Sequence, residues 1–516
     1  MKNLYYLFIL SFLLISCEEE VPPVKYTLTT QVTPAGAGTV NPSSGKFDEG
    51  ESVTISATPS ANYNFMQWTG TGSGTANPLT FKIISNTTVT AEFELIDADA
   101  DGVTDALDKC PDTPAGSTVN SEGCATSQID TDGDGVSDDI DLDNNTREGV
   151  PVDDKGVMLN PIFLDNNGVT IKAQEWGIIG DIGIIDGFEY KIVSSEDLRE
   201  LTESTFWVYP DTLSGLVVSL VTDMSELFKG NNIPYNYSIS HWDVSNVTQM
   251  FDMFNESSFN EDISSWDVSN VLNMENMFRN SSFNGDISSW DVGNVTTMRH
   301  MFSFSSFNQS IGDWDVSNVE NMSAMFYMAK DFNQNIENWN ISKVTTTADM
   351  FYFSQFNQPI GNWDLSNLVD INGMFKDCFS FNQDISGWDV SNVVEMNGVF
   401  YNTQFNQDIS GWDVSKVKGM RFMFSGTPFD QDISNWDVSN VIHMGDMFNN
   451  TPFNQDISGW DVSNVENMEW MFFRASNFNQ DLSSWNVEKC TNCSWFRKEA
   501  SNYTLPIPNF TNCDPN

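Results

Sequence analysis

One tryptophan returns every 24 or 25 residues along the C-terminal part of this 516-residue chain. A fixed period in this range is typical of repeat proteins, whose units are too small to bury their apolar side chains alone and stack on their neighbours. The spacing therefore predicts a stack of repeats rather than one globular core. The recurring residues are Trp242, Trp266, Trp290, Trp314, Trp339, Trp363, Trp388, Trp412, Trp436, Trp460 and Trp485.

Within each repeat the apolar spacing favours a short helix. In the repeat that starts at Trp460, apolar residues recur at intervals of three or four, as in Val465, Met468 and Phe472, which would place them on one helical face. Ser463 and Glu466 would form a capping box at its start. Phe478 and Leu482, near the end of the unit, would mark a short strand. The sequence thus predicts a multidomain chain whose main part is a solenoid of about 12 turns, with one short strand and one short helix per turn.

The repeated Trp-Asp-Val-Ser-Asn-Val-x-x-Met-x-x-Met-Phe, followed by Phe-Asn-Gln-Asp-Ile-Ser, resembles the BspA-like leucine-rich repeat surface proteins. The resemblance covers residues 190–513 and implies a leucine-rich-repeat-type solenoid at the bacterial surface, often credited with adhesion. On this reading, residues 190–487 are the solenoid with its N-terminal cap and residues 488–516 are a C-terminal cap. The motif residues are scaffold, so they do not identify binding residues. Specificity would vary most in loops such as 279–282 and 327–330.

The N-terminus has the features of a targeting signal. An apolar run, residues 4–15, is too short to span a bilayer and matches the core of a signal peptide. It ends in Leu-Ile-Ser-Cys, which resembles a bacterial lipobox and implies that residues 1–16 are removed and that Cys17 carries the lipid of a tether, residues 17–24. Acidic residues 18–20 resemble the surface-export signal of some Gram-negative lipoproteins. The expected location is the outer membrane, exposed on the cell surface; an ordinary signal peptide and a simple solvated tether are the alternatives.

Residues 25–95 alternate apolar and polar side chains between glycine, proline and asparagine, which predicts a small antiparallel β module. The segments Gly36–Val40, Asn64–Trp68 and Val89–Phe93 resemble the divergent InlB B-repeat modules of bacterial surface proteins. We expect the aromatic residues of the second segment to be core residues rather than ligand contacts.

Residues 96–145 contain two acidic loops with the same spacing. Each has aspartate at loop positions 1, 3, 5, 9 and 12 and glycine at position 6, a pattern that can wrap hard oxygen ligands around a calcium ion. A main-chain carbonyl would serve at position 7, and position 12 is aspartate where an EF-hand has glutamate. The predicted ligands are Asp97, Asp99, Asp101, Val103, Asp105 and Asp108 in the first loop, and Asp130, Asp132, Asp134, Val136, Asp138 and Asp141 in the second.

The sequence from the first loop through Cys110 to Cys124 resembles the thrombospondin type 3 repeats of bacterial envelope proteins, which agrees with calcium as the bound ion. Calcium would then decide whether this segment is a stiff spacer, because its carboxylates repel one another without metal. The alternative is a disordered acidic linker. A connector, residues 146–189, would lead to the repeats.

The cysteines support export to an oxidising compartment. Of the seven, six remain after the lipidated one. Cys110 and Cys124 flank a short loop and are expected to pair. Near the C-terminus, Cys490 fits a buried apolar position of the last repeat, so we expect Cys493 to pair with Cys513.

Charge excludes some partners and no catalytic motif emerges. With 72 acidic and 23 basic residues, the formal charge of −49 is unsuited to nucleic acid or anionic lipid, which are polyanions. The three histidines have no fixed acid or nucleophile partner in sequence, so no enzyme is predicted. A column of asparagines is expected to be an internal ladder. An aspartate column is either a solvated face with serine partners or a site for a basic ligand or cation: Asp384, Asp408, Asp432, Asp456 and Asp481.

These features favour a non-enzymatic, lipid-anchored, adhesin-like surface protein that binds a protein, such as a host or matrix protein, through its repeats. The membrane would be contacted only through the lipid. The alternative is a carbohydrate-binding or nutrient-capture lipoprotein with the β module as the sugar-binding unit, which clustered exposed aromatic residues in residues 25–95 would favour. A hydrolase would require a pocket lined by carboxylates outside the repeat pattern.

Overall fold

The computed structural model describes residues 21–203, 213–230 and 238–516. The chain divides into two compact units, Met1–Leu159 and Asn160–Asn516. The signal peptide and Cys17 lie outside the described residues.

The first unit begins with a β module of seven strands. They are β1 (Lys25–Thr33), β2 (Gly38–Asn41), β3 (Gly45–Asp48), β4 (Ser52–Pro59), β5 (Tyr63–Gly70), β6 (Leu79–Lys82) and β7 (Thr87–Leu95). One sheet has the order β3-β1-β7-β5 and the other the order β2-β4-β6. All pairs are antiparallel except β1 with β7, which is parallel. Alternate residues of β4 and β7 are buried, as the period-two pattern predicts for half-buried strands.

The rest of the first unit, residues 96–159, is built from turns. Its only regular element among the described residues is a three-residue 3-10 turn, Thr126–Gln128. Two isolated antiparallel bridges, Val119–Ala125 and Val152–Met158, lie at equivalent places in the two halves of this segment.

The second unit opens with short strands and one helix. These are β8 (Ile162–Leu164), β9 (Ile171–Ala173), β10 (Ile182–Ile185), β11 (Phe188–Ile192), α1 (Ser195–Glu203) and β12 (Leu216–Val217). The helix begins with a capping box, since the Ser194 Oγ accepts the N–H of Asp197 at 3.0 Å and the Asp197 carboxylate accepts the N–H of Ser194 at 2.9 Å. Leu198 of α1 belongs to the same hydrophobic core as the repeats, so this segment covers their N-terminal end.

The repeats do not form the predicted leucine-rich-repeat-type solenoid with a strand and a helix in each turn. No residue described from 218 to 516 lies in a helix or in a strand longer than an isolated bridge. Consecutive repeats are joined by single parallel bridges, from Asp223–Gln249 at one end to Asn467–Asn492 at the other. The apolar residues of the motif are buried as expected, but they lie in turns rather than in a helix.

A series of turns reproduces the spacing that we interpreted as helical. The N–H of Met471 donates to the carbonyl of Met468 at 3.3 Å, which closes a tight turn. The intervening Trp470 has a φ of +60°, a left-handed conformation that an α-helix excludes. Its N–H donates across to Ser494 of the next repeat at 3.0 Å. Apolar residues therefore recur every three positions although the main-chain hydrogen bonds run between repeats.

Two further predicted elements of the repeat are absent. The capping box of Ser463 and Glu466 does not form, because the N–H of Glu466 donates to Ile442 of the preceding repeat at 2.8 Å. Phe478 and Leu482 are buried but belong to no strand.

The core of the repeats is a set of stacked aromatic columns. Neighbouring tryptophans lie nearly parallel, as between Trp412 and Trp436, whose ring centroids are 6.5 Å apart. The indole N–H of Trp436 donates to the carbonyl of Ile409, 27 residues earlier in the chain, at 3.2 Å. At the C-terminal end, a disulfide joins Cys493 to Cys513, the pair expected from the sequence. Among the described residues, no helix has the length and apolar character needed to cross a membrane.

Candidate calcium loops and the repeat surface

The first acidic loop brings three of its predicted ligands together. Single carboxylate oxygens of Asp97, Asp99 and Asp101 all lie within 4.8 Å of one another. The N–H of Gly102 donates to Asp97 at 3.1 Å, which folds the loop over its first aspartate. Gly102 has a φ of +97°, so glycine at loop position 6 serves the backbone turn. Val103 is half-buried, and its N–H donates to Asp101 at 2.7 Å.

The second loop has the same construction. Oxygens of Asp130, Asp132 and Asp134 lie within 4.8 Å of one another. The N–H of Gly135 donates to Asp130 at 2.9 Å, and the N–H of Val136 donates to Asp134 at 2.8 Å. Two loops with the same hydrogen bonds indicate one structural unit used twice.

The aspartates at position 9 brace the loops instead of joining the clusters. Asp105 accepts the N–H of Ala98 at 2.8 Å. Asp138 accepts both the N–H and the hydroxyl of Thr131, at 2.9 and 2.7 Å. These two predicted ligands hold the start of each loop against its end.

The aspartates at position 12 approach a later part of the chain. Asp108 accepts the N–H of Cys110 at 2.7 Å. A Cβ atom built on Gly123 would overlap the Asp108 carboxylate and would lie 3.2 Å from an oxygen of Asp101. Asp108 and Asp101 therefore face the same small space beside Gly123. Asp141 has the same relationship with Gly156 in the second loop.

Several carboxylate oxygens in these loops are buried without a hydrogen-bond donor. A buried oxygen in this state is costly unless a cation or a donor satisfies it. Calcium prefers six to eight oxygen ligands of this kind, so the residues fit that ion. The oxygens are Oδ1 of Asp97, Oδ1 of Asp99, Oδ2 of Asp101, Oδ2 of Asp134 and Oδ2 of Asp141.

The second loop also shows opposed pKa shifts. The N–H of Gly135 lowers the pKa of Asp130, partly offset by burial. For Asp134 the hydrogen bond from Val136 lowers the pKa, but burial and repulsion from Asp132, Asp141 and Asp130 outweigh it, so the pKa is raised. Burial and the neighbouring carboxylates thus disfavour the charged form of Asp134.

The duplication extends beyond the residues that we predicted from the loops. Thr113 donates its N–H to Asp99 at 2.7 Å and its hydroxyl to the Gly123 carbonyl at 2.7 Å. Thr146 makes the equivalent bonds to Asp132 and Gly156, at 2.6 and 2.9 Å. Threonine, glycine and valine recur at the same offset of 33 residues in both halves, a signal in the sequence that the loop motif alone did not use.

The second acidic unit consequently continues to the end of the first compact unit, past residue 145 where we had placed its end. The two units differ in their cross-link. Cys110 and Cys124 form a disulfide, the pair expected from the sequence, whereas Asp143 and Val157 occupy the equivalent positions in the second unit.

The polar columns of the repeats are structural. The side-chain oxygen of Asn406 accepts the N–H of Asp430 at 3.0 Å, and Asp430 accepts the N–H of Asn454 at 2.9 Å, so the one aspartate continues the asparagine ladder. In the aspartate column, Asp408 accepts the N–H of Ser410 at 2.9 Å. Hydrogen bonds from serine lower the pKa of all five aspartates of this column. This agrees with a solvated face that has serine partners.

Many of the variable residues of the repeats lie together on one surface, although some of them, such as Ser303, are buried. We define the variable face as the positions two before, one after and two after the last phenylalanine of the Met-x-x-Met-Phe motif. Side chains at these positions touch between repeats: Tyr327 stacks on Tyr352 with ring centroids 4.5 Å apart, and the Phe304 ring centroid lies 5.2 Å from that of Tyr327. Residues of the predicted specificity loops, Arg279 and Tyr327, belong to this face.

The histidines have no acid or nucleophile within a shared site in the contacts described. His241 contacts the Leu216 carbonyl at 3.2 Å, and burial lowers its pKa. Burial also lowers the pKa of His300, helped by Arg299 and Arg279.

The fold and these surfaces define a protein of stacked repeats preceded by a β module and two acidic loops. Family models agree. Residues 197–306, 267–356, 337–428 and 402–510 match the family described as "Mycoplasma protein of unknown function, DUF285". The overlapping matches span more than half of the chain, so this protein belongs to the DUF285 family.

The β module is also recognised. Residues 28–97 match the divergent InlB B-repeat domain, which confirms the prediction for this segment. The DUF285 match fits the resemblance to BspA-like surface repeats. The thrombospondin type 3 resemblance and the bound calcium stay predictions. Searches of curated proteins and of solved structures found no significant match.

Proposed function

We propose that this protein is a non-enzymatic, adhesin-like lipoprotein of the bacterial surface that binds an extracellular protein through the variable face of its repeats. The main support for the proposal is that each repeat contains two kinds of residue, motif residues and variable residues. Motif residues such as Trp436 are buried and build the scaffold, whereas partly exposed variable residues such as Tyr327 and Tyr352 contact one another at the surface. Both matched families are built from repeats of the kind found in surface proteins, which supports the same reading.

The composition of the variable face suits protein binding. Aromatic residues and arginine are enriched where protein interfaces bind most tightly. Here Arg279 lies 5.6 Å from the Phe304 ring, and in the last repeat the Lys498 ammonium lies 3.8 Å from the Trp495 ring. Phe304 and Trp495 are 42% and 37% exposed, which leaves apolar area for a partner to cover.

The acidic segment would serve as a calcium-dependent spacer. Asp97, Asp99, Asp101 and Asp108, with the Val103 carbonyl, would hold one ion. The equivalent residues of the second loop, Asp130, Asp132, Asp134, Asp141 and Val136, would hold another. Calcium would supply the positive charge that satisfies the buried oxygens, while Asp105 and Asp138 keep the loops closed.

The membrane anchor rests on the sequence. A lipid on Cys17 would tether the protein to the outer membrane, and the acidic residues 18–20 would direct it to the cell surface. Radiolabelled palmitate should label the wild-type protein in cells, and Cys17→Ala should abolish the label. A labelled Cys17→Ala variant would contradict the lipid anchor.

The alternative of a sugar-binding β module gains little support. Trp68 is fully buried, and Phe65 packs against Trp68 and Phe93 with ring centroids 5.2 and 5.9 Å apart. These aromatic residues form the core of the module and do not present a cluster to solvent.

Surface plasmon resonance on the whole immobilised protein tests the main proposal. We expect saturable binding of at least one matrix protein among fibronectin, fibrinogen and collagen. Phe304→Ala and Trp495→Ala should each weaken binding by about tenfold. Ile179→Ala, at a 51% exposed apolar residue outside the repeats, is the matched control and should leave binding unchanged.

Absence of binding by all three proteins, or binding that both face variants leave intact, would contradict the proposal. The spacer is tested separately by solution scattering with calcium and after chelation. An unchanged radius of gyration would contradict the calcium-dependent spacer without affecting the binding proposal.

A further inference from the structure

We propose that a pocket in the middle of the variable face binds a saccharide, either free or carried on a glycoprotein. The pocket has a volume of about 400 Å³ and lies between Tyr352, Lys376, Asp377, Gly398, Tyr401 and Phe422. The proposal goes beyond protein binding by the repeats and does not depend on it. It also places the sugar site in a different part of the chain from the β module.

The pocket lies where the variable face has no side chain at residue 398. The position two before the motif phenylalanine carries a side chain in other repeats, as at Asn276 and Phe422, and glycine only at 373 and 398. A Cβ atom on Gly373 would overlap the Asp349 carboxylate, so only Gly398 leaves space. The nearest atoms to a Cβ built on Gly398 lie 3.8–3.9 Å away, in Lys376, Tyr401 and Phe422. There is therefore room for a side chain that the sequence does not supply.

Backbone geometry does not require glycine at this position. Gly398 has a φ of +61°, and the equivalent Asn276 and Asp349 adopt φ values of +55° and +56°. Asparagine and aspartate tolerate this left-handed region better than other side chains. Glycine at position 398 thus leaves open space that a side chain would otherwise fill.

Aromatic rings form the walls of this space. Tyr401 and Phe422 meet edge to face, with ring centroids 5.9 Å apart and an interplanar angle of 87°. The Lys376 ammonium lies 5.4 Å from the Tyr352 ring and 5.5 Å from the Tyr401 ring. All three rings are half-buried, so each keeps part of its surface available. The C–H groups of a pyranose are polarised in a way that favours contact with the negative face of such rings.

Polar groups of both charges stand among the rings. Asp377 accepts a hydrogen bond from the Asn402 side chain at 2.8 Å, which fixes its carboxylate. Burial, and then the nearby Asp377 carboxylate, raise the pKa of Tyr352, so its phenol keeps its proton as a donor at neutral pH. Lys376 has no carboxylate oxygen within salt-bridge distance among the described residues, and its ammonium can donate to a ligand.

This combination favours a neutral, hydroxyl-rich ligand. Lys376 and Asp377 carry opposite charges at the same pocket, so neither a simple anion nor a simple cation is matched to it. A purely apolar ligand would cover the Lys376 ammonium without offering it a hydrogen-bond acceptor. A saccharide offers apolar C–H faces to the rings and hydroxyls to the charged groups. A volume of about 400 Å³ is near the lower end for ligand pockets and suits a short saccharide.

The site is local, unlike the tryptophan column. The buried tryptophans recur in every repeat and are scaffold. The rings of the pocket occur at variable positions, and the next repeats place Ser425 and Asn449 where Tyr401 stands. A small number of partly exposed rings beside polar groups is the arrangement expected of a binding pocket.

Saturation-transfer NMR with the whole protein tests the proposal, using cellotriose, mannotriose and triacetylchitotriose as probes. We expect at least one probe to bind with a dissociation constant in the millimolar range or below. Tyr401→Ala should weaken binding by about tenfold. Gly398→Asn should abolish it, because the new side chain fills the pocket while asparagine is already accepted at the equivalent position 276.

Controls separate binding from folding. Phe188→Ala removes a 69% exposed aromatic residue outside the repeats and should leave the signal unchanged. Unfolding curves of the variants should match the wild type, which shows that the repeats remain folded. Absence of binding by all three probes, or binding that survives Gly398→Asn and Tyr401→Ala, would overturn the proposal.

The source of the saccharide is distinguished with one glycoprotein in two forms. Fibronectin binding that Gly398→Asn weakens, and that enzymatic deglycosylation of fibronectin also weakens, would assign the pocket to protein-linked glycan. Binding of free oligosaccharide without any matrix protein would support the saccharide site while contradicting the adhesin-like function. If matrix-protein binding is unaffected by Gly398→Asn and by deglycosylation, and no oligosaccharide binds, the adhesin-like function would be supported and the saccharide site contradicted.

Discussion

A Cβ atom on Gly123 would overlap the carboxylate of Asp108, so glycine alone lets the chain pass this close to the residue that ends the first acidic loop. Gly156 and Asp141 repeat the relationship in the second loop. Each loop is therefore completed by a segment that lies outside its own spacing pattern. The segment is held there by a threonine hydroxyl that donates to the glycine carbonyl.

Replacing Gly123 with alanine should displace Asp108 and weaken calcium binding at the first loop by about tenfold or more. Calorimetric titration of calcium into the whole protein measures this. Gly116→Ala is the matched control, because Gly116 has a φ of +87° against +81° for Gly123 but no atom lies within 4 Å of its Cβ. Both variants pay a similar backbone cost, about 1 kcal/mol, so equal effects on calcium would show that the close approach is unimportant.

Loss of the Cys110–Cys124 disulfide should destabilise the first acidic unit and spare the second. Replacing both cysteines with serine removes a cross-link across 14 residues, a loss of about 3 kcal/mol. Hydrogen exchange is the measurement, with faster exchange expected for residues 110–124. Residues 143–157, the equivalent segment without a disulfide, serve as the internal control. Equal acceleration in both segments would show that the two units unfold together.

The asparagine ladder should tolerate aspartate but not alanine. The Asn406 side-chain oxygen accepts the N–H of Asp430 and the amide of Gln431, both at 3.0 Å. Asn406→Ala leaves the Asp430 N–H without its acceptor, while Gln431 keeps only the Asn406 main-chain carbonyl at 3.1 Å. The variant should lower the free energy of unfolding by about 1–3 kcal/mol in urea denaturation. Asn406→Asp keeps the acceptor, as Asp430 does naturally, and should change stability much less. A similar loss for both variants would contradict the ladder.

Asp349 should cost stability at neutral pH. Burial raises its pKa, Lys376 opposes the shift and Asp370 adds to it. Because the folded-state pKa is above the ordinary 3.8, protonation favours the folded protein, and this contribution disappears as the pH rises through the folded-state pKa. Asp349→Asn should therefore raise the free energy of unfolding at pH 7 by an amount on the order of 1 kcal/mol.

The pH dependence supplies the check on that variant. Its advantage should shrink as the pH falls through the folded-state pKa and vanish below 3.8, where the wild-type carboxyl is neutral in both states. Urea unfolding at several pH values measures the difference. A constant advantage at all pH values would assign it to the left-handed backbone of residue 349, where asparagine is favoured, rather than to charge.

The local chemistry of several elements could be predicted from the sequence. Alternating residues in β4 and β7 identified the β module, and the aspartate spacing identified the two loops whose carboxylates the fold gathers. The pairing of Cys493 with Cys513 followed from recognising Cys490 as a core position. In each case the pattern involves residues close in sequence, or a periodicity that the fold preserves.

The prediction of a helix in each repeat was wrong for a physical reason. Val465, Met468 and Phe472 have a spacing that a helix and a run of tight turns both satisfy. What distinguishes them is the left-handed backbone at residues such as Trp470 and Arg474, with φ values of +60° and +56°. Tryptophan and arginine have no preference for positive φ, so their presence in the sequence does not predict this conformation. It is stabilised by hydrogen bonds to the next repeat, which a reading of one repeat at a time does not include.

The order of residues alone was enough to predict the repeat period, the buried side chains of each repeat and the places where carboxylates concentrate, because periodicity and composition are properties of the chain. The conformation of the repeats and the contacts between their surface residues depend on folding. The turns depend on main-chain partners 24 or so residues away, as when Trp470 donates to Ser494. Likewise Gly123 reaches Asp108, and Gly398 opens a pocket between Tyr352 and Phe422, only because stacking and folding bring distant segments into contact.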